Sequence, residues 1–127
     1  MNIPFSPPDI TEEEIEAVAE VMRSGWITTG PKTKELERKT AEFTHTNRGV
    51  CLNSATSCME MALRLFEIGP GDEVIVPAYT YTASASVVCH VGATLRLVDV
   101  EKGTFHIDYA AVESMINENT KAIIPVD

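Results

Sequence analysis

Gly69-Pro70-Gly71-Asp72-Glu73-Val74-Ile75-Val76-Pro77 is the stretch that decides the fold. Glycine and proline crowded into its first four residues mark a tight turn. The apolar run at 74–77 is too short for a helix and rich in β-branched residues, which predicts a strand buried on both faces. Ala78-Tyr79-Thr80-Tyr81 follows, then a small-residue helix over 83–91 that Gly92 ends. The next strand is expected at 95–100, a short helix at 109–116 and a further strand at 122–126. Upstream, Gly49-Val50-Cys51-Leu52 reads as another buried strand. Asn53-Ser54-Ala55-Thr56-Ser57 interrupts it, and Met59, Ala62, Leu63 and Phe66 resume helical spacing. Strands alternating with helices at these distances mean βαβ units. The expected class is α/β, a mostly parallel sheet with helices on both faces.

The first 47 residues are helical in pattern. Thr11-Glu12-Glu13-Glu14 is a capping box, and Ile10 and Ile15 are spaced to form a hydrophobic staple around it. Ile15, Val18, Ala19 and Met22 then repeat on one face, until Ser24-Gly25 stops the helix. Pro31 suits the first turn of a second helix, whose apolar face includes Leu36 and Phe43. The expected organisation is one partial domain over 1–127, a helical segment at 1–47 followed by βαβ units at 48–127. The last apolar run stops at Asp127, which would leave a strand edge with unpaired backbone groups, so truncation is expected.

Composition excludes several classes. The chain has 127 residues, 44% hydrophobic and 23% charged, enough for one core and unlike a disordered segment. Its net charge of -9, with 19 acidic residues against 10 basic ones, offers no basic face to nucleic acid. No run approaches the roughly 20 apolar residues that span a bilayer, and no basic start leads into an apolar stretch. A cytoplasmic protein without membrane or nucleic-acid partners is expected. Cys51, Cys58 and Cys89 lack zinc spacing, and no metal site is expected. Cys51 and Cys89 sit in apolar runs and are expected to be buried thiols.

Ligands of an open parallel sheet bind at the carboxyl ends of its strands. Two segments are expected there. Asn53-Ser54-Ala55-Thr56-Ser57 leads into a helix N-terminus, where free amides and the helix dipole favour an anion such as phosphate. The same Ser/Thr residues would serve equally as a plain N-cap, and neither a Walker A loop nor a GxGxxG pattern is present. Pro77-Ala78-Tyr79-Thr80-Tyr81-Thr82 could offer an aromatic ring to a planar ligand, or simply pack its tyrosines on the next helix. A phosphoryl-accepting receiver domain would need an acidic pair where Asn53-Ser54 stands, and a dinucleotide-binding domain would need glycines that are absent.

Taken in series, the motifs resemble the DegT/DnrJ/StrS sugar aminotransferases. The resemblance runs through Ser24-Gly25-Trp26-Ile27-Thr28-Thr29-Gly30-Pro31-Lys32, Asn53-Ser54-Ala55-Thr56 and the stretch 68–77. It continues through Gly92-Ala93-Thr94, Val98-Asp99-Val100 and Thr120-Lys121-Ala122-Ile123-Ile124-Pro125-Val126. The opening stretch is most similar to the branch that aminates a nucleotide-linked 4-keto-pentose. This resemblance implies the N-terminal part of the large domain of a type I pyridoxal-phosphate-dependent transferase. It implies pyridoxal 5'-phosphate as cofactor, a nucleotide-linked keto-sugar as acceptor, glutamate as amino donor, and a homodimer or other self-association. By the same resemblance Thr56 and Ser57 hold the cofactor phosphate, Tyr81 stacks on its ring, and Thr28 and Thr29 contact substrate. Ser57 stands where alanine is usual in the family, and Tyr81 where tryptophan or phenylalanine is common.

The family's chemistry also needs a lysine bonded covalently to the cofactor and an acid paired with the ring nitrogen. Both fall later in the family's sequence than position 127. Lys32, Lys34, Lys39, Lys102 and Lys121 sit where solvated surface roles are expected, and His45, His90 and His106 have no evident acid–base partners. No catalytic residue is therefore assigned, and the chain by itself is expected to be inactive. The alternative is a naturally short protein without catalysis that binds phosphate weakly or pairs with a relative.

Overall fold

The computed structural model describes Ile3 and residues 6–126. The chain forms two compact units, Met1–Cys51 and Leu52–Asp127.

The first unit holds two helices, α1 (Glu12–Arg23) and α2 (Pro31–Phe43). The capping box at the start of α1 is formed: the Thr11 side chain accepts from the helix amides, and the Thr11 amide donates to Glu14 Oε2 at 2.6 Å. Hydrogen bonding to Thr11 holds the Glu14 carboxyl below its ordinary value. Ile10 and Ile15 both stand exposed, and α1 buries none of its side chains among the described residues. Pro31 occupies the first turn of α2, as expected, and Ala41 is the buried residue of that helix.

The expected strand at 49–52 does not form. Val50 is 75% exposed, and no ladder among the described residues includes the segment. A strand needs a partner for its amides and carbonyls. Here the Cys51 amide donates instead to Glu37 Oε1 at 3.0 Å, so residues 49–51 lie as coil against α2. Gly49 makes that approach possible, because a Cβ there would lie 2.6 Å from the Glu37 carbonyl oxygen.

The second unit is the βαβ part. It contains α3 (Ala55–Leu65), β1 (Glu73–Pro77), α4 (Thr82–His90), β2 (Thr94–Val98), α5 (Tyr109–Met115) and β3 (Thr120–Ile123). The sheet order is β2-β1-β3 and both pairings are parallel. The pleat of β1 divides its side chains between two cores. Val74 and Val76 pack with Leu63 of α3 and with Val87 and Val88 of α4. Ile75 faces the other way, with Val98, Ile107 and Val112 of α5. Val74, Ile75, Val76, Val87 and Val88 are fully buried, each stabilising the unit by about 1.5–3 kcal/mol relative to exposure. Helices thus cover both faces, as the apolar strand predicts.

Boundaries differ from expectation at two strands. β2 ends at Val98, because Asp99 turns its carboxylate onto the Val100 amide and Val100 pairs antiparallel with Ile107. β3 is Thr120–Ile123, and beyond it the Ile124 amide donates to the Ile75 carbonyl of β1 at 2.9 Å. Cys89, expected to be buried, is exposed, and Cys51 is only partly covered. On α4 the positions that face the core are Ser84, Val87 and Val88, which leaves Cys89 outside.

The amino-terminal edge of the sheet is tied by polar side chains. Glu73 Oε2 accepts from Arg96 Nη1 and from Asn117 Nδ2, both at 2.9 Å, and the Glu73 amide donates to the Asn119 carbonyl. On the helical face Glu60 of α3 accepts from Arg64 at 2.7 Å and meets His90 Nδ1 of α4 at 2.9 Å. The Arg64 bond, then that of His90, holds the Glu60 carboxyl below its ordinary value.

Candidate functional site

Connectivity brings the cofactor-site candidates of the second unit to one edge. The first connection of the sheet, through α4, runs from β1 to β2, and the second, through α5, returns across β1 to β3. Right-handed crossovers in opposite directions place their helices on opposite faces, so the loops after β1 and β2 part at the carboxyl edge. That parting of adjacent loops makes the crevice in which open parallel sheets bind ligands. Helix α3 packs on α4 and enters β1 through the turn at 69–72, so its N-terminus points to the same edge.

The helix α3 begins earlier than the hydrophobic spacing alone suggests, at Ala55, which puts Thr56 and Ser57 in its first turn. Ser54 is the N-cap. Its Oγ accepts from the Ser57 amide at 3.1 Å and lies 3.0 Å from Ser57 Oγ. Ser57 Oγ also donates to Asn53 Oδ1 at 2.7 Å. The amides of Ala55 and Thr56 have no acceptor among the described residues. The N-cap reading of this turn is realised by Ser54, and it leaves the anion reading to other atoms. Ser54 caps one amide, while two others, with the Thr56 hydroxyl, remain available to an anion.

Tyr81 is the N-cap residue of α4 and is 82% exposed, so its ring is free to stack. Together with Ala78, Tyr79, Thr80, Phe105, His106 and Val126 it lines a hollow of about 510 Å³. Ser57 lines a separate hollow of about 310 Å³ with Leu52, Asn53, Glu60, Met61 and Arg64. The structure thus brings the first turn of α3 and the Tyr81 ring to one edge, each lining its own hollow. The loop after β1 is held by backbone and hydroxyl bonds. The Ala78 amide extends the ladder to the Val98 carbonyl at 2.8 Å, and Thr80 Oγ1 lies 2.9 Å from Oγ of the buried Ser84.

Thr28 and Thr29 belong to the first unit. There the Trp26 indole donates to the Thr29 carbonyl at 3.0 Å, and its ring lies where a Cβ on Gly30 would be. The lysines are all exposed: Lys39 pairs with Glu35 at 2.8 Å, Lys32 approaches Glu20 at 3.6 Å, and Lys121 Nζ donates to the Glu118 carbonyl.

Sequence reasoning missed Ser54 as the specific cap and Phe105 as part of the hollow. The first was legible in principle, since Ser54 stands three residues before Ser57, the usual reach of an N-cap. The second was not, because nothing in a lone phenylalanine within a polar loop announces its partner.

The sequence pattern of the DegT/DnrJ/EryC1/StrS aminotransferases matches residues 8–127. The chain belongs to that family. Among curated relatives, this DegT-family chain is 45% identical over 124 residues to the UDP-4-amino-4-deoxy-L-arabinose–oxoglutarate aminotransferase of Shewanella sediminis. That match covers 98% of the chain and 32% of the relative. Among solved structures, a Streptococcus pneumoniae protein assigned as a sugar aminotransferase is 63% identical, with a TM-score of 0.90. It covers 98% of this chain and 31–32% of its own, and has been solved in apo, pyridoxamine-phosphate and pyridoxal-phosphate forms. DesV of S. venezuelae is 38% identical with a TM-score of 0.81, over 90% of this chain and 31% of that one. The DegT-family chain therefore spans about a third of the length of these relatives.

Proposed function

We propose that this chain is the cofactor-phosphate portion of a pyridoxal-phosphate-dependent aminotransferase that aminates a nucleotide-linked keto-sugar, with glutamate as donor. The observation that carries the reading is the meeting, at one sheet edge, of an exposed Tyr81 and an α3 first turn with two amides that have no acceptor among the described residues. These residues fit the cofactor. A phosphate suits the Ala55 and Thr56 amides and the Thr56 hydroxyl, with Ser57 supporting the turn through Asn53. A planar pyridine ring suits the face of Tyr81. When bound, the cofactor supplies an electron sink that stabilises negative charge on the carbon bearing the transferred amine. The residues of this chain bind and orient; none of them moves a proton in this reading.

The nucleotide-sugar acceptor is supported by the Shewanella relative, whose named substrate is a UDP-linked amino-pentose. Thr28 and Thr29 are proposed substrate contacts, and pairing with a second copy is proposed for the whole protein. The lysine that bonds the cofactor is proposed to lie outside these 127 residues, since each lysine here is exposed and three are engaged with neighbouring oxygens.

Titration of the chain with pyridoxal phosphate, followed by quenching of intrinsic fluorescence, tests the reading. Saturable binding that inorganic phosphate competes away, and that Thr56→Ala and Tyr81→Ala both weaken, is expected. Borohydride reduction should then label the lysines diffusely. Stoichiometric labelling of one lysine would overturn the account of where the covalent lysine lies, and binding indifferent to both substitutions would overturn the site.

A further inference from the structure

The hollow at the carboxyl edge is closed on one side by two aromatic rings from different loops. Tyr79, in the loop after β1, stacks on Phe105, in the loop after β2, with ring centroids 4.8 Å apart and planes inclined by 26°. These are the two loops that part toward opposite faces of the sheet, so the pair bridges the crevice. Both rings are largely exposed. Their contact with each other is what joins the two loops among the described residues.

The support for Phe105 is built. The Val100–Ile107 bridge closes its loop, the Glu101 amide donates to the His106 carbonyl at 2.9 Å, and Gly103 turns the chain at φ +85°. Two residues beyond Phe105, Ile107 is buried among Ile75, Val98 and Val112. Phe105 thus rides on a loop anchored in the core. Tyr79 lies on the four-residue segment that ends at Tyr81, whose carbonyl accepts from the Ser84 amide at 3.0 Å. The segment is held at its start by Ala78 and at its end by the helix, and its middle is held by the Tyr79–Phe105 stack and the Thr80–Ser84 hydroxyl pair.

We propose that Phe105 is a positioning residue, clamping Tyr79 so that the loop presents Tyr81 in one orientation to the planar ligand of the proposed site. The inference rests on the proposed cofactor site for its consequence, although the clamp itself is a property of the free chain. A preorganised stacking ring loses less freedom on binding, so removing the clamp weakens binding without touching the ligand.

The test uses the 127-residue chain with Phe105→Ala, Phe105→Leu and Phe105→Tyr, each read by backbone amide NMR order parameters and by pyridoxal phosphate titration. In Phe105→Ala and Phe105→Leu, order parameters at Tyr79, Thr80 and Tyr81 should fall from the rigid range, about 0.85, toward about 0.6, while those in β1 stay as they were. The cofactor dissociation constant should rise about 3- to 10-fold in both, the equilibrium equivalent of one aromatic pair, and Phe105→Tyr should restore both readouts. Tyr79→Ala should reproduce the effect, and combining it with Phe105→Ala should add little. Unchanged order parameters at 79–81 in both Phe105→Ala and Phe105→Leu would overturn the clamp. Lower order parameters with unaltered cofactor affinity would overturn the positioning role. If the unsubstituted chain fails to bind pyridoxal phosphate, the proposed function falls, and the order parameters alone decide the clamp.

Discussion

Replacing Ser54 by alanine separates the two jobs that the first turn of α3 performs. Ser54 has extended backbone dihedrals (φ -162°, ψ 156°), and its Oγ takes the Ser57 amide at 3.1 Å. Losing a serine cap costs about 1 kcal/mol, within a range of roughly 0.5–2. With a urea m-value of about 1–2 kcal/mol/M for a unit of this size, the midpoint should fall by roughly 0.5–1 M at unchanged slope. Ser54→Asp, whose carboxylate can accept the same bond, should recover most of the loss. Cofactor affinity should hold in Ser54→Ala, because the amides offered to the phosphate are those of Ala55 and Thr56, and the Ser57 amide is merely released. Urea unfolding followed by far-ultraviolet circular dichroism measures the first effect, and fluorescence titration the second. An unchanged midpoint together with a tenfold loss of affinity would refute the reasoning, since it would make the Ser54 oxygen a ligand rather than a cap.

Three further outcomes follow from the packing. Val88→Ala removes methyl groups from a fully buried position of α4 and should cost about 2 kcal/mol by urea unfolding, with cofactor affinity retained in the folded fraction. Gly92→Ala forces a side chain into left-handed backbone at φ +78°, with its Cβ 3.3 Å from Pro70 Cγ, and should cost about 1–2 kcal/mol in the same assay. Glu60 has a folded-state carboxyl held below its ordinary value, first by Arg64 and then by His90. Its contribution is therefore complete above the unfolded carboxylate value and is lost as pH falls through the lower folded one. Thermal melts of the chain and of Glu60→Gln should differ at neutral pH and converge in acid. A gap that widened on acidification would reverse the assigned sign.

The parts of the fold legible in sequence were those governed by local rules. Thr11 and Glu14 announce a capping box because four residues suffice to make one, and Gly92 marks the end of α4 because its backbone is left-handed there. The strand at 74–77 is legible because both its faces are covered by residues of this same chain. Gly49-Val50-Cys51-Leu52 has much the same apolar character and fails, because pairing is non-local and the Cys51 amide finds Glu37 first. Burial of Cys89 was misjudged for a related reason. An apolar neighbourhood in sequence does not say which side of a helix faces the core. In the candidate site, Thr56, Ser57 and Tyr81 could be named from spacing and resemblance, whereas Phe105 could be found only from the meeting of two loops 26 residues apart in their aromatic pair, Tyr79 and Phe105.

The two edges of the sheet are built on opposite terms, and this separates stability from ligand binding. At the amino edge Glu73 gathers Arg96, Asn117 and the Asn119 carbonyl, so charge and amide groups there are paired with one another. At the carboxyl edge the amides of Ala55 and Thr56 have no acceptor among the described residues, and Tyr79, Tyr81 and Phe105 are largely exposed. Water satisfies an exposed helix terminus until an anion displaces it, and a group of exposed rings is a surface that a ligand can cover. Substitutions at Glu73 and Arg96 should therefore shift unfolding and leave affinity alone, while Tyr81→Ala should lower affinity with little shift in unfolding. That asymmetry is the physical content of assigning the ligand to the carboxyl edge.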